Sequence, residues 1–592
     1  MHDPMGRPSC TVPIAAVRRC ACVRPYPGHK AMDRRAFLTS LAAAGLSPLA
    51  GCSRPAQQRL PPGTLSGASA EWGHALRQPD KLPPPAETLR IPVAIVGGGI
   101  GGLSAAWKLA KSGCQDFLLF ELETEPGGNA RAGRNAVSEY PLSAHYLPLP
   151  PPEARAVREL LAELGVLEGD PFARRPRYDE RYLCAVPQER LYRNGWWEDG
   201  LLPHIGVAAA ERAQYRRFHA LMAAFRQRRD GGRPAFALPM ENSSRAGDLL
   251  ALDRLTMRDW LRAQGFDSPH LHWYVDYACR DDYGTGSGET SAWAGIHYFA
   301  CRNGEAQDAA GDTVLTSPGG NAWLARGLAD SVRTHAGERV MTGTLAWRVQ
   351  EAGEHVAIDL WQPTAQRSVR VLAGHLIWAA PLFIVPYVFS GRERLANAAR
   401  RFTAVPWLVA NLTLSHAPED RAGVPLAWDN VLYDSPGLGY VVATHQMIRQ
   451  WPQRTVWTYY RALSGQAPSA GRTQLEAMSY AHWAEQILSD LERAHPDIRQ
   501  ATEYIDIYRN AHAMVRPAPG LIWGPERRLF ADSGRRAGER LHFAHADVSG
   551  FSLFEEAQYR GVLAAERVMR QLGRNFVSSL VPGARADSPA ST

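Results

Sequence analysis

Lysine is almost absent from this chain of 592 residues: Lys30, Lys81, Lys108 and Lys111 are the four present, and none follows position 111. Nearly all of the basic charge is therefore arginine, and the formal net charge is +7. The arginines are scattered and form no basic stripe, so no nucleic-acid partner is predicted. Hydrophobic residues make up 45% and charged residues 21% of the chain, as in ordinary globular proteins. This length predicts two to four domains.

Metal-type cysteine spacing and long apolar runs are also missing. The chain has 8 cysteines, and no pair has the CxxC spacing of a metal site, so no metal is predicted. We expect the cysteines of the folded body to be free, buried thiols. No apolar run after residue 52 is long enough to span a bilayer, and the longest run lies near the N-terminus.

The N-terminal region has the pattern of an export signal. Residues 32–52 contain the pair Arg34 and Arg35, then an apolar stretch, and end in Leu-Ala-Gly-Cys at Cys52. This order resembles a bacterial twin-arginine signal with a lipoprotein processing box, although Asp33 and Thr39 depart from the usual signal. The resemblance implies export of the folded protein by the twin-arginine translocation machinery. It also implies acylation of Cys52 and a periplasmic protein held at the surface of the inner or outer membrane of a bacterium.

Two flanking segments follow from this interpretation. Residues 1–31 precede Met32 and are predicted to be an over-extended start. Residues 53–89 are rich in proline, glycine and serine, which predicts a flexible tether between the lipid and the folded body.

A glycine-rich turn opens the folded body. The apolar run Ile91 to Val96 predicts a strand, and Gly97, Gly99 and Gly102 follow it in the spacing GxGxxG, with Gly101 between the last two. The first glycine permits a tight turn, the second lets the backbone approach a pyrophosphate, and the third allows close packing of helix on strand.

The residues after this turn complete a dinucleotide-binding unit. Residues 103–112 predict a helix whose N-terminal amides would face phosphates. Residues 116–120 predict a second strand that ends at Glu121, an acid suited to ribose hydroxyls. This order of elements alone does not distinguish NAD from FAD.

A second glycine pair favours FAD. Gly127, Gly128, Asn129 and Arg131 follow the acid closely. This segment resembles the superfamily of flavin amine oxidases, protoporphyrinogen oxidases and phytoene desaturases, in which it runs along the FAD diphosphate and ribityl chain. The resemblance implies that Gly127 and Gly128 approach the cofactor and that Arg131 meets phosphate or flavin. Asn129 stands where arginine is more frequent.

The resemblance recurs along the chain. Tyr140 to Tyr146, which includes His145, lies where the family passes close to the flavin ring. The closing segment from Leu541 resembles the motif in which an acid binds the ribityl chain, which implies Asp547 as that ligand and Gly550 as a cofactor contact. His145 and His512 are the first candidates for residues beside the reactive ring.

The implied fold class is α/β, a Rossmann-like FAD-binding domain with an inserted α+β substrate domain. The FAD-binding domain is predicted from residues 90–150, 311–384 and 506–575, the substrate domain from 151–310 and 385–505, and a flexible tail from 576–592. In the substrate domain, apolar spacing predicts helices at 153–167, 208–228 and 473–494.

The resemblance implies an FAD-dependent oxidoreductase that dehydrogenates a small organic substrate by hydride transfer to flavin N5. Amine oxidation is one reading, although many such enzymes place a lysine near N5 and none follows residue 111 here. Desaturation or isomerisation of a polyene-like or porphyrinogen-like substrate is a second. A flavoprotein that binds or transfers electrons without turning over a metabolite is a third. The aromatic and polar stretch 274–284 belongs either to the helical core or to the wall of the substrate site.

Overall fold

The structure is a computed structural model that describes residues 60–447 and 453–583. The predicted over-extended start, the twin-arginine signal and the lipidation site Cys52 lie outside the described residues. Across the part that is described, no helix is long and apolar enough to cross a bilayer.

The first sheet carries the glycine turn. Six strands lie side by side in the order Val340–Met341, Phe117–Phe120, Pro85–Val96, Arg367–Trp378, His355–Gln362 and Leu345–Ala352, and Leu541–Phe543 also pairs with Arg367–Trp378. The pairings around Val93 to Val96 are parallel, and these four residues are buried. A continuous apolar run forms such a strand because both faces of a parallel sheet are covered.

Alternate residues of these strands pack into two cores. Val93, Ile95 and Ile377 face the core formed with the helices Ile100–Lys111 and Phe554–Gln571. Their neighbours Ala94, Val96, Leu376 and Trp378 face a second core on the other side of the sheet. The sheet is therefore a middle layer covered on both faces.

The second sheet has eight strands. Their order is Gly63–Gly67, Thr502–Val515, Ala404–Leu414, Thr455–Ala462, Tyr440–Val442, Asp429–Leu432, Glu189–Arg193 and Trp196–Asp199. One face packs on the helix Tyr480–Leu491 through Trp483, Ile487 and Leu488. The opposite face carries Val409, Val431 and Tyr460 and packs against Tyr277 of the helix Pro269–Tyr283.

Further short pairs and helices complete the body. Four two-stranded pairs join Ala132–Arg134 to Glu139–Pro141, Leu147–Pro148 to Val314–Leu315, Leu167–Glu168 to Arg177–Tyr178, and Arg229–Asp230 to Arg233–Pro234. The remaining α-helices are Ala70–Gly73, Arg155–Glu163, Ala209–Gln227, Gly247–Leu252, Met257–Ala263, Ala292–Ala300, Ala322–Ala336, Val385–Val388, Glu393–Ala399, Pro468–Ala477, Ile498–Ala501 and Pro525–Ala531.

The predicted α/β fold class is confirmed, but the structure corrects three boundaries. Residues 60–89, predicted as tether, include the edge strand Gly63–Gly67 and the start of the strand Pro85–Val96. Residues 506–515, assigned to the FAD-binding domain, belong to the strand Thr502–Val515 of the second sheet. The first part of the predicted tail is packed, because Phe576, Ser578 and Ser579 are buried.

The predicted helix at 473–494 is two helices, Pro468–Ala477 and Tyr480–Leu491. Ser479 breaks the run because its hydroxyl accepts the backbone N–H of His482 and caps the second helix. The other two predicted helices are present in shortened form, as Arg155–Glu163 and Ala209–Gln227. The four cysteines of the described residues, Cys114, Cys184, Cys279 and Cys301, are free thiols.

Candidate functional site: a glycine cleft and an acidic cavity

Two glycine turns lie against each other at the carboxyl end of the first sheet. Gly97 has φ +102°, and a Cβ atom there would lie 2.6 Å from the backbone nitrogen of Ala380. Gly127 has φ +129°, and its N–H donates to the carbonyl of Gly98 at 2.8 Å. Gly99 and Gly127 also form a β-bridge. The predicted positions Gly97, Gly99, Gly127 and Gly128 are thus brought together in one narrow cleft, where side chains would fill the space beside the backbone.

The helix Ile100–Lys111 begins in this cleft. Gly99 caps it without a side-chain hydrogen bond, so its first-turn amides remain available to a negatively charged group. Gly102 and Gly101 instead serve close packing. A Cβ on Gly102 would lie 1.8 Å from the carbonyl oxygen of Gly97, and one on Gly101 would lie 2.3 Å from that of Ala544.

Glu121 lies at the end of the second strand beside the turn, as predicted. Its carboxylate accepts the N–H of Gly98 at 2.5 Å and the N–H of Glu123 at 2.8 Å. Burial raises the pKa of this carboxyl, and the two N–H donors oppose that shift. Each oxygen retains a free lone pair, which suits a carboxylate that also accepts ribose hydroxyls.

Arg131 and Asn129 tie the cleft to the second sheet. The Arg131 guanidinium donates to Glu123 at 3.1 Å and to the hydroxyl of Tyr508 at 2.8 Å. Asn129 donates to the carbonyl of Ala513 at 2.7 Å, and Asn510 donates to Asn129 at 2.9 Å. Asn129 therefore contacts the strand Thr502–Val515 of the second sheet.

Asp547 and Gly550 lie in the closing turn. Asp547 accepts the N–H of Leu382 at 3.0 Å and lies 3.2 Å from Nδ1 of His545. Burial alone would raise the pKa of Asp547, but His545 and the Leu382 amide hold it below its usual value. Gly550 has φ +82° and ends the turn Ala546–Ser549, where a Cβ would lie 2.7 Å from Cδ1 of Ile522. The turn accounts for a glycine at position 550, and its contact with the cofactor stays a prediction.

These residues fit a dinucleotide. The cleft has a glycine-lined floor, a helix N-terminus without a side-chain cap, a buried acid beside the turn and an ionised acid in the closing segment. A pyrophosphate needs the first two features, and sugar or ribityl hydroxyls need the acids.

A cavity adjoins the cleft. It is lined by Asn129, Ser143, Ala144, His145, Tyr146, Pro148, Leu238, Asp281, Asp282, Arg302, Asn321, Trp407, Tyr460, Ala513, Met514, Ser552, Leu553, Phe554 and Glu555. Residues from the second sheet and from the helices Pro269–Tyr283 and Phe554–Gln571 therefore meet around one space.

The two candidate histidines occupy different places. His145 lines the cavity and stacks on Tyr460 with ring centroids 4.4 Å apart. His512 stacks on Phe383 at 3.9 Å, and its Nδ1 is buried without a partner. Burial lowers the pKa of both to about 4, so both are neutral near pH 7. His145 is a wall residue of the cavity, whereas His512 is not among the residues that line it.

The cavity wall carries Asp281 and Asp282 of the stretch 274–284, for which the sequence left both the core and the substrate wall open. Arg302 donates to Asp282 at 2.5 Å, and the hydroxyl of Tyr146 donates to Asp281 at 3.3 Å. Burial and the neighbouring Asp282 raise the pKa of Asp281 to about 7.

Glu555 is the third acid of the cavity wall. It is 2% exposed, and its Oε1 has no hydrogen-bond partner. Burial raises its pKa to about 7. The stretch 274–284 is thus both core and wall, because Tyr277 and Tyr283 are buried while Asp281 and Asp282 line the cavity.

Comparisons with known proteins agree with this geometry. The family model of the NAD(P)-binding Rossmann-like domain matches residues 95–164, which contain the glycine turn. Hydroxyneurosporene desaturase of Cereibacter sphaeroides is 31% identical over 144 residues, which is 22% of this chain. The match spans about a quarter of the desaturase, 26% of its length.

Solved structures share the fold over most of both chains. Putrescine oxidase bound to putrescine has a TM-score of 0.57 and 15% identity, covering 81% of this chain and 99% of that chain. Cyclohexylamine oxidase from Brevibacterium oxydans has a TM-score of 0.56 and 15% identity, covering 82% and 100%.

A fatty acid isomerase from P. acnes has a TM-score of 0.55 and 14% identity, covering 80% of this chain and 98% of that chain. The chain therefore shares the fold of these oxidases and this isomerase. At such identities the likeness extends to the fold and not to the substrate.

Proposed function

We propose that this chain is an FAD-dependent oxidoreductase that oxidises an amine. The observation that carries the choice of substrate is the cavity wall, where Asp281, Asp282 and Glu555 lie among aromatic side chains with Arg302 as the one cation of the lining. Carboxylates and aromatic faces attract an organic cation. They disfavour a wholly apolar polyene, because such a ligand would remove water from the carboxylates without forming a hydrogen bond or ion pair with them.

The residues that would hold FAD are those of the cleft. The first-turn amides at Ile100 to Gly102 would face the diphosphate, Glu121 the ribose, and Asp547 the ribityl chain. Bound FAD would supply the two-electron acceptor for the C–H bond that is oxidised.

The cavity residues orient the substrate and handle its proton. An amine enters mainly as its ammonium ion, which must lose a proton before a hydride leaves the adjacent carbon. Glu555 is suited to accept this proton because burial raises its pKa to about 7. Arg302 donates to Asp282 at 2.5 Å and opposes the rise in the pKa of that carboxyl that burial causes. His145 is neutral, so it forms part of the cavity wall without repelling a cation.

The test is anaerobic reduction of purified holoprotein in separate cuvettes. A primary amine, a secondary amine and a polyene in detergent are each added while the visible spectrum is recorded. We expect an amine to bleach the flavin band with kinetics that depend on amine concentration. Bleaching by the polyene alone would favour the desaturase alternative. Correctly folded protein without a flavin band would contradict FAD binding itself.

We also propose that the protein is exported folded and anchored through a lipid on Cys52, on the sequence pattern given above. Replacing Arg34 and Arg35 together with lysine should retain the holoprotein in the cytoplasm. Replacing Cys52 with alanine should leave export intact but release the protein into the soluble periplasmic fraction. Fractionation with unaltered distribution in either variant would contradict the corresponding step.

A further inference from the structure

Two acids stand side by side on the sheet face that packs toward the cavity. Glu189 and Asp429 are register partners in adjacent parallel strands, and alternate residues of the same strands, Leu191 and Val431, belong to the core beneath the cavity. Both residues are partly exposed. Electrostatic coupling of both acids to Asp281 extends this acidic face to the cavity wall.

These acids have no counterion. Within residues 60–447 and 453–583, no arginine, lysine or histidine forms an ion pair with Glu189, Asp281 or Asp429, whereas neighbouring Asp282 is paired with Arg302. Burial and repulsion by the nearby acids raise the pKa of Glu189 to about 7 and that of Asp429 well above its usual value. An unpaired cluster of this kind is costly in an isolated protein and is relieved by a bound cation.

A buried hydroxyl points to a ligand independently of the acids. Tyr460 is 4% exposed and lines the cavity, yet its hydroxyl oxygen has no hydrogen-bond partner. Asp281 and Asp429 both act electrostatically on this phenol. A buried hydroxyl without a partner is unusual in a folded protein, and a ligand with N–H donors would satisfy it.

The expected ligand is an organic cation rather than a metal ion. In the portion of the chain that the structure describes, no group of three or more His, Cys, Asp or Glu side chains is arranged to hold a metal. The acids are therefore too spread for a bare ion, and an ammonium group with directed N–H bonds suits the arrangement better.

We propose that Glu189, Asp281, Asp429 and Tyr460 form a distal cation site for a second ammonium group, so that the substrate is a dicationic amine. This inference rests on the proposed amine oxidation and adds a second charge, remote from the carbon that is oxidised. One ammonium group would lie at the end of the cavity near Glu555 and Asp282, and the other at the distal site.

The test compares matched monoamines and diamines. Holoprotein is reduced anaerobically by n-alkylamines and by α,ω-diamines of the same carbon number over a series of chain lengths. At the best length, we expect the diamine to have a concentration for half-maximal reduction rate at least about tenfold below that of the monoamine. Asp429→Asn and Glu189→Gln should remove this preference and leave monoamine reduction unchanged. Asp434→Asn, an exposed acid-to-amide change nearby, is the matched control.

A second readout separates the two proposals. Alkane α,ω-diamidines and the matching monoamidines, which keep N–H donors but have no amine C–H bond to oxidise, are added to holoprotein in a thermal shift measurement. Greater stabilisation by the dication that is lost in Asp429→Asn supports the site even if no amine reduces the flavin. Equal behaviour of monocations and dications in both assays would overturn the distal site. Equal losses for monoamine and diamine in the variants would also overturn it, because the acids would then only attract cations at the entrance.

Discussion

Single carboxyl groups determine the chemistry of the cavity, and the protonation of Glu555 can be measured through the pH dependence of stability. Its pKa is raised by burial from an ordinary value of 4.5 to about 7, so the folded protein binds this proton more tightly than the unfolded chain. Stability is then lost as the pH rises from about 4.5 to 7, because the folded state must release the proton at a cost. We expect Glu555→Gln to flatten this part of the stability curve. Urea unfolding from pH 4.5 to 8 measures it, and an unchanged slope would show that Glu555 is already ionised.

Glu121 carries a second prediction at this scale. Its two oxygens each accept a backbone N–H, so Glu121→Gln turns one acceptor into an NH₂ group that faces a donor. At about 1–3 kcal/mol for the lost interaction, FAD should bind roughly 5- to 150-fold more weakly. Fluorescence titration of apoprotein with FAD gives the dissociation constant. Glu125→Gln, at an exposed position in the same loop, should leave it unchanged.

The glycine turns could be predicted from sequence, whereas the cavity acids could be predicted only in part. Gly97, Gly99 and Glu121 follow one another within a single strand–turn–helix–strand unit, so local spacing suffices. Asp281, Arg302 and Glu555 come from three separate segments of the chain, and they meet only in the folded protein, around one cavity. Consecutive acids in an aromatic helix were the available signal at Asp281 and Asp282, but periodicity alone does not tell a wall from a core.

At the scale of elements, two helices cross at their glycines. A Cβ on Gly561 of the helix Phe554–Gln571 would lie 2.1 Å from the carbonyl oxygen of Gly101 in the helix Ile100–Lys111. Because a backbone atom cannot be displaced cheaply, we expect Gly561→Ala to destabilise the protein by about 1–3 kcal/mol and to weaken FAD retention.

Gly247→Ala is the matched control for this crossing. Gly247 also lies in a helix, but its Cβ would meet nothing within 4 Å. Alanine there should be neutral or stabilising by up to about 1 kcal/mol, because it favours helix. Thermal unfolding of both variants, followed with flavin release, gives the comparison. Equal changes in stability for Gly561→Ala and Gly247→Ala would show that the close contact between the two helices is not the cause of the destabilisation.

The boundaries of elements were harder to predict than their existence. Apolar spacing from 473 to 494 continues through Ser479, so the pattern favoured one helix. The break depends on the single hydroxyl of Ser479, which accepts the backbone N–H of His482 and so begins a new helix. That second helix packs its own apolar face on the second sheet. Helix propensity predicts that the segment is helical, whereas capping and tertiary packing decide where one helix ends and the next begins.

At the scale of the whole molecule, the largest error of the sequence-based prediction concerns the strand Gly63–Gly67, which pairs with residues far away in the chain. Residues 60–89 have the composition of a linker, yet Gly63–Gly67 pairs in parallel with residues 505–509, more than four hundred positions later. The hydroxyl of Thr64 donates to Asp506 at 2.5 Å, and Tyr480 donates to the carbonyl of Pro61 at 2.7 Å. Such a pairing is decided by the exposed edge of a sheet that forms elsewhere, so composition carries no information about it.

This edge strand gives a prediction for the whole chain. A protein that begins at residue 68 loses the strand and leaves the edge of Thr502–Val515 unpaired, whereas one that begins at residue 60 keeps both. Because Ala513 and Met514 of that strand line the cavity, loosening the edge should affect the site as well as the sheet. We expect the shorter protein to unfold at a lower temperature, to aggregate more readily and to reduce its flavin more slowly with amine. A third protein that begins at residue 53 is the control and should match the one that begins at residue 60. If all three proteins unfold at the same temperature and reduce their flavin at the same rate, residues 60–67 contribute nothing to the fold. The prediction of a flexible tether would then hold for these residues.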